Sequence, residues 1–141
     1  MNAYASWGAE GRGFGTTGNS TTRKLEIAAY LAQISHETSG GWGSAPDGRF
    51  SWGLYYIEEV APHRNYCECI AEWPCYPGKS YKGRGPLQLS WNYKYGPAGK
   101  ALWFDGLANP EVVASDSVVA FKTALWFWMT EQKPFNEFSY I

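Results

Sequence analysis

The stretch from Arg23 to Trp42, RKLEIAAYLAQISHETSGGW, decides the fold. Leu25, Ile27, Ala28, Ala29, Leu31, Ala32 and Ile34 give it an apolar character nearly all round, which predicts an α-helix over Arg23 to His36 buried in a core. Thr22 is a suitable N-cap, and glycines 40 and 41 stop the helix. The more polar side chains Glu26, Tyr30, Gln33 and Glu37 recur at spacings of four, three and four, so they share one stripe. A buried helix with a single polar stripe is expected to line a cleft.

Working outward, the chain predicts further helices joined by long loops. Ser90 to Leu102 reads as a helix interrupted around Gly96-Pro97. Asn109-Pro110 opens a short helical turn, with Asn as cap and Pro at the first position. Ser115 or Asp116 caps a strong helix running through Thr130, with Val118, Phe121, Leu125 and Trp128 on its core face. Gly43 to Gly85 is punctuated by Gly, Pro and Ser and reads as loop. The expectation is a mainly α fold in one domain covering residues 1–141.

Composition excludes several function classes. Twelve Lys+Arg against thirteen Asp+Glu leave a net charge of -1, without the basic excess that a nucleic-acid phosphate surface needs. No stretch approaches the ~20 consecutive apolar residues of a membrane span. Met1 to Gly15 is Gly-rich and polar, so no signal peptide is expected there. Aromatic residues make up 18% of the chain, and flat rings with a polar tip suit either a packed core or a surface that stacks on sugars. Cys67, Cys69 and Cys75 lack the fourth ligand and the spacing of a structural zinc site, and neither His36 nor His63 completes a metal set. A short disulfide loop with one thiol left over, in an oxidising compartment, is expected instead.

Two places carry candidate chemistry. Glu37 closes the first helix, where the negative helix end and apolar neighbours such as Trp42 both favour the protonated carboxyl that a general acid requires. The bland alternative is a solvated helix-end glutamate. Position 40 is Gly rather than His, so the run is not a zinc-peptidase motif. Glu58-Glu59 is the second place. A solvated pair is its default reading, but carboxyls drawn from separate elements are what glycoside hydrolysis requires.

Three long runs then match a known pattern in order. Glu26 to Trp42 (EIAAYLAQISHETSGGW), Trp73 to Pro97 (WPCYPGKSYKGRGPLQLSWNYKYGP) and Asn109 to Thr130 (NPEVVASDSVVAFKTALWFWMT) resemble the plant-type chitinases of glycoside hydrolase family nineteen. The resemblance implies a lysozyme-like, mainly helical catalytic fold with loops around a long cleft, and inverting endo-hydrolysis of β-1,4-linked N-acetylglucosamine chains. Position by position, Glu37 matches the general acid. Glu59, seven residues before Tyr66-Cys67, matches the general base and leaves Glu58 a bystander. Ser90 matches the serine that helps hold the attacking water. His36, Trp73, Gln88, Tyr93, Lys94 and Gln132 match substrate-binding positions. Cys67 and Cys75 match a family disulfide, leaving Cys69 free. The implied partner is chitin or chito-oligosaccharide handled by a monomer without metal or cofactor, in cell-wall chitin breakdown or defence, outside the cell or in the vacuole.

The departures are local and at the ends. Lys94 stands where the family commonly has Asn, replacing a donor-acceptor amide with a cation that only donates and could pair with Glu59. Tyr55 replaces a family cysteine. The resemblance implies a partial catalytic domain, short at both ends, whose cleft lacks a C-terminal Asn and Arg. These departures leave open a catalytically impaired chitin-binding protein; a third reading is a hydrolase of bacterial peptidoglycan, whose alternating sugars include N-acetylglucosamine.

Overall fold

The computed structural model describes residues 13–39, 43–49 and 51–130. Its helices are α1 (Ser20–Thr38), α2 (Asn92–Leu102), α3 (Val112–Ser115) and α4 (Ser117–Met129). Among the described residues the only extended pairing is two isolated bridges, Glu58 with Arg84 and Arg84 with Leu89. The described residues between Gly43 and Gly85 are therefore loop, as their turn-forming composition predicts, and the fold is mainly α.

α1 begins a turn earlier than expected. Asn19, not Thr22, is the N-cap: its Oδ1 accepts from the Thr22 backbone N–H at 3.0 Å, which places Thr22 inside the helix. The predicted full burial is also corrected. Only Tyr30, Ile34 and Thr38 of α1 are buried, while Leu25 and Leu31 are 65% and 57% exposed. Among the described residues α1 rests on the body along one line, so the stripe that carries Tyr30 and borders Glu37 faces inward and the apolar flank faces out. Phe14 and Trp128 pack edge-on against Tyr30, with ring centroids 4.9 and 5.5 Å away.

α2 starts at Asn92 and runs unbroken through Pro97. The small residues around that proline serve close packing rather than a break. A Cβ on Gly96 would lie 2.1 Å from the Trp73 ring, and one on Gly106 would lie 2.2 Å from the Tyr95 carbonyl oxygen. Asn109 and Pro110 form the predicted turn into α3 through backbone bonds from Val112 and Val113.

Asp116 caps α4 as expected, its Oδ1 accepting from Val118 and Val119. The buried face agrees with the predicted one in part. Leu125 is inside as expected and Trp128 packs against the core, joined by Ala120, Thr123, Ala124 and Trp126, whereas Val118 and Phe121 are 60% and 43% exposed. α4 approaches the body through its alanines, and Gly85 fits closely against Val113 and the Ala120 carbonyl.

Two apolar clusters meet at α4. One gathers Tyr81, Leu89, Tyr95, Ala98, Val113 and Trp126; the other gathers Tyr30, Ile34, Leu87, Ala124 and Leu125. Two of the buried tyrosines, Tyr81 and Tyr95, have their hydroxyls hydrogen-bonded. Tyr81 donates to the Leu107 carbonyl at 3.0 Å, and Tyr95 donates to the Lys82 carbonyl at 2.8 Å while accepting from Arg84 Nη1 at 3.1 Å. Burial holds the Tyr95 phenol far above its ordinary value. Arg84 is itself buried, donating to the Ser80 carbonyl at 2.8 Å and pairing with Glu58 at 3.4 Å.

The cysteine segment is tied down beneath α2. Cys67 and Cys75 form the expected disulfide, and Cys69 is a free, exposed thiol. The buried Asn92 amide clamps the same loop. It donates to the Glu68 and Trp73 carbonyls at 2.8 and 2.7 Å and accepts from the Glu68 backbone N–H at 2.8 Å. No helix among the described residues is long and apolar enough to cross a membrane.

Candidate active site

Glu59 lies on the loop that crosses Gly83. The two residues exchange bonds: the Glu59 N–H reaches the Gly83 carbonyl at 2.7 Å, and the Gly83 N–H reaches Glu59 Oε2 at 3.2 Å. The second oxygen, Oε1, accepts from the Tyr66 hydroxyl at 2.7 Å. Each carboxylate oxygen thus has a donor, which fixes the plane of the group. That hydrogen bond, with some help from burial and from the nearby negative charge, pushes the Tyr66 phenol above its ordinary value of 10.0.

Gln88 and Ser90 gather at the same glycine. A Cβ on Gly83 would lie 2.8 Å from Gln88 Oε1 and 3.4 Å from Ser90 Oγ. Gln88 adopts a left-handed backbone (φ 50°), and its amide donates to the Gly85 carbonyl at 3.1 Å. Ser90 Oγ donates to the Gln88 carbonyl at 2.9 Å. Glu59, Gln88 and Ser90 are therefore brought together around one backbone position.

Glu37 comes from a different element, the last turn of α1. It is half-buried, and its Oε1 accepts from Gln33 one turn earlier at 2.7 Å. A pocket of about 290 Å³ opens over it, lined also by Leu87, Phe127, Trp128 and Thr130. His36 is exposed on the same turn. Neighbouring Thr38 carries the Glu59 loop, because the Tyr56 N–H donates to the Thr38 carbonyl at 3.0 Å. The loop bearing one carboxylate is in this way anchored to the helix end bearing the other. Glu58, next to Glu59, turns instead to Lys82 and Arg84 at 3.5 and 3.4 Å.

The remaining predicted residues flank these groups. Trp73 is half-buried with its ring against Gly96. Tyr93 stacks on Trp91, ring centroids 5.8 Å apart, and burial, with Glu68 nearby, pushes its phenol up. The Arg64 guanidinium sits over the rings of Trp91 and Tyr66, at 5.4 and 5.7 Å. Lys94 does not pair with Glu59; its ammonium lies 5.1 Å from the centroid of the Phe127 ring. Gln132 and Trp42 lie outside the described residues.

Sequence reasoning missed Tyr66, Gly83 and Phe127. Tyr66 stood only as a position marker for Glu59, and nothing local marks Gly83 as the point where three site residues converge. Gln33 was legible, since it lies four residues before Glu37 on the same stripe.

A family model described as chitinase class I matches residues 1–138. The chain belongs to that family. Over 118 residues it is 64% identical to Chitinase 10 of Oryza sativa subsp. japonica, covering 83% of this chain and 41% of that protein. Over 122 residues it is 61% identical to Endochitinase CH25 of Brassica napus, covering 86% of this chain and 38% of that one. Among solved structures, a family nineteen, class IV chitinase from Zea mays aligns with a TM-score of 0.68 and 47% identity, over 82% of this chain and 51% of that chain. Chitinase C from Streptomyces griseus aligns with a TM-score of 0.71 and 42% identity, over 86% and 53%. This member of the chitinase class I family thus spans about two-fifths of the curated relatives and about half of the solved chains. Its fold is the mainly helical fold of those structures, as the sequence resemblance implied.

Proposed function

We propose that this chain is the working part of an endochitinase that hydrolyses β-1,4-linked N-acetylglucosamine chains with inversion. The observation that carries the reading is the fixing of Glu59 between Tyr66 and the Gly83 N–H, with Ser90 at the same glycine and Glu37 on a separate, anchored helix end. Two carboxyls from different elements, one fixed by a phenol and a backbone N–H beside a serine and the other on the rim of a pocket, suit a water-activating base on one side and an acid on the other. The names of the relatives, chitinase and endochitinase, point to the same substrate.

In the proposed reaction the protonated Glu37 gives its proton to the glycosidic oxygen as the bond to the anomeric carbon breaks. A water held by Glu59 and Ser90 attacks from the opposite face, and Glu59 takes its proton. Both Glu59 oxygens already have donors, so the water approaches a lone pair whose direction is set beforehand. An inverting site needs a carboxyl separation of ~6.5–9.5 Å, enough for that water. Trp73, Tyr93, Gln88 and His36 supply ring stacking and hydrogen bonds along the sugar chain, with Gln132 contributing from beyond the described residues. Cell-wall chitin in an extracellular or vacuolar setting is the proposed context, which suits the Cys67–Cys75 disulfide.

The test is hydrolysis of a chitin hexasaccharide with anomers resolved, beside the Glu37→Gln variant. Shorter sugars released first as the α-anomer, and missing in the variant, would support the assignment. Retention of both proteins on chitin without any product would replace it with a binding role.

A further inference from the structure

Asn19, the N-cap of α1, also begins the run Asn19-Ser20-Thr21. It is the one asparagine in the chain followed two places later by Ser or Thr, and the residue between is not proline. That spacing is the acceptor pattern for an N-linked oligosaccharide, whose transfer needs a hydroxyl two residues beyond the amide. A three-residue pattern recurs by chance, so the folded surroundings decide whether a glycan fits here.

They do fit it. Asn19, Ser20 and Thr21 are all exposed, and the chain turns sharply just before them at Gly18, with φ 74°. The two ends of the Asn19 amide have different duties. Oδ1 accepts from the Thr22 backbone N–H at 3.0 Å and from the Thr22 hydroxyl at 3.2 Å. Nδ2 has no hydrogen-bond partner among the described residues. N-linkage replaces one hydrogen of Nδ2 and leaves the carbonyl oxygen in place, so the helix cap and a glycan are compatible. An unrelated part of the chain points to the compartment in which such transfer occurs, since the Cys67–Cys75 disulfide belongs in an oxidising lumen.

We propose that Asn19 is an N-glycosylation site, with the oligosaccharide carried on Nδ2 at the start of α1. The co-reactant is an oligosaccharide linked to a lipid diphosphate. Nδ2 loses a proton and bonds to the anomeric carbon, while the bond from that carbon to the diphosphate oxygen breaks and its electron pair leaves with the lipid diphosphate. Glu37 lies at the far end of the same helix, about 27 Å away at ~1.5 Å per residue, so the glycan leaves the pocket there open. The inference rests on the extracellular or vacuolar setting proposed above and is independent of the hydrolysis of chitin.

The test is translation of the full chain behind a secretory leader with sealed microsomes, read on the protease-protected product. The leader imposes the route, so the result falls on the site rather than on the natural location. The wild-type chain should show one discrete upward gel shift that peptide N-glycosidase removes, and mass spectrometry should find the carrier asparagine converted to aspartate at position 19. Thr21→Ser should keep the shift. Thr21→Ala, which retains the Asn19 cap, and Asn19→Asp, which caps equally well but has no amide nitrogen, should both lose it. Protected wild-type chain without a shift, or a shift that persists in Thr21→Ala and Asn19→Asp, would overturn the proposal. A glycosylated chain that leaves chitin hexasaccharide intact would support this site while counting against the proposed function.

Discussion

Adjacent glutamates with different surroundings, and opposite duties under the proposed mechanism, give the sharpest test of the site. Glu58 faces Arg84 at 3.4 Å and Lys82 at 3.5 Å, and Arg84 is buried while the Glu58 side chain is 45% exposed. At that distance the Coulomb attraction is about 1 kcal/mol in water and about 5 kcal/mol at an effective dielectric of ~20. The exposure of Glu58 places the net effect toward the lower end, so Glu58→Gln should cost roughly 1–2 kcal/mol and lower Tm by about 4–8 °C. The loss should shrink with added salt, and turnover per folded molecule should be unchanged. Glu59→Gln should act mainly on turnover. The amide keeps an oxygen for Tyr66 but loses the bond from the Gly83 N–H, so Tm should fall by about 2–4 °C, and because it cannot take a proton from water kcat should fall by ~10²–10⁴. Thermal unfolding by circular dichroism and initial rates on chitin hexasaccharide read the two effects separately. Loss of turnover in Glu58→Gln with an unchanged Tm would refute the division of roles.

Three further outcomes follow from the geometry. Gly96→Ala would drive a methyl into the Trp73 ring, where a Cβ would sit 2.1 Å from Cε3, so it should destabilise by about 1–3 kcal/mol in urea titrations and weaken sugar binding; unchanged binding would separate Trp73 from the cleft. Tyr66→Phe removes one of the two donors to the Glu59 carboxylate, and kcat should drop by about tenfold with KM little altered, the loss vanishing in a Glu59→Gln background. The folded-state value of Tyr95 is raised above its ordinary 10.0, so the protonated phenol stabilises the fold below pH 10.0 and that contribution is lost as pH climbs above it. The urea midpoint should fall above about pH 10, and less steeply in Tyr95→Phe; identical slopes would show that Tyr95 does not set the alkaline limit.

What was legible in the sequence depended on which physical signal each residue carries. The Asp116 cap and the extent of α4 follow from a capping side chain and a helical period, both local properties. The facing of the helices followed only in part. α4 presents Ala120 and Ala124 to the body because Gly85 lets it approach closely, and α1 turns Leu25 and Leu31 outward, so apolar character alone pointed in part to the wrong sides. Gly96-Pro97 read as a break, although the small residues there admit Trp73. Within the site, Glu37 with Gln33 was visible from i, i+4 spacing. Glu59, Gln88 and Ser90 were named only through the family resemblance, and what holds Glu59 was not visible, since it depends on Gly83, 24 residues further along, and on a phenol whose hydrogen bond only the folded loop creates.

The shallow seating of α1 has a dynamic consequence. Glu59 is held in both directions by Gly83 and by Tyr66, next to a disulfide, whereas Glu37 rides on a helix that touches the described body along one line. The two halves of the site therefore belong to parts of the molecule with unequal opening energies. Amide hydrogens of α1 should exchange faster than those of α2 and α4. On gentle warming, the acid would swing away from the base while most of the helix signal persists. Under the proposed mechanism, heat would thus stop turnover by parting the two carboxyls, well before it melts the fold.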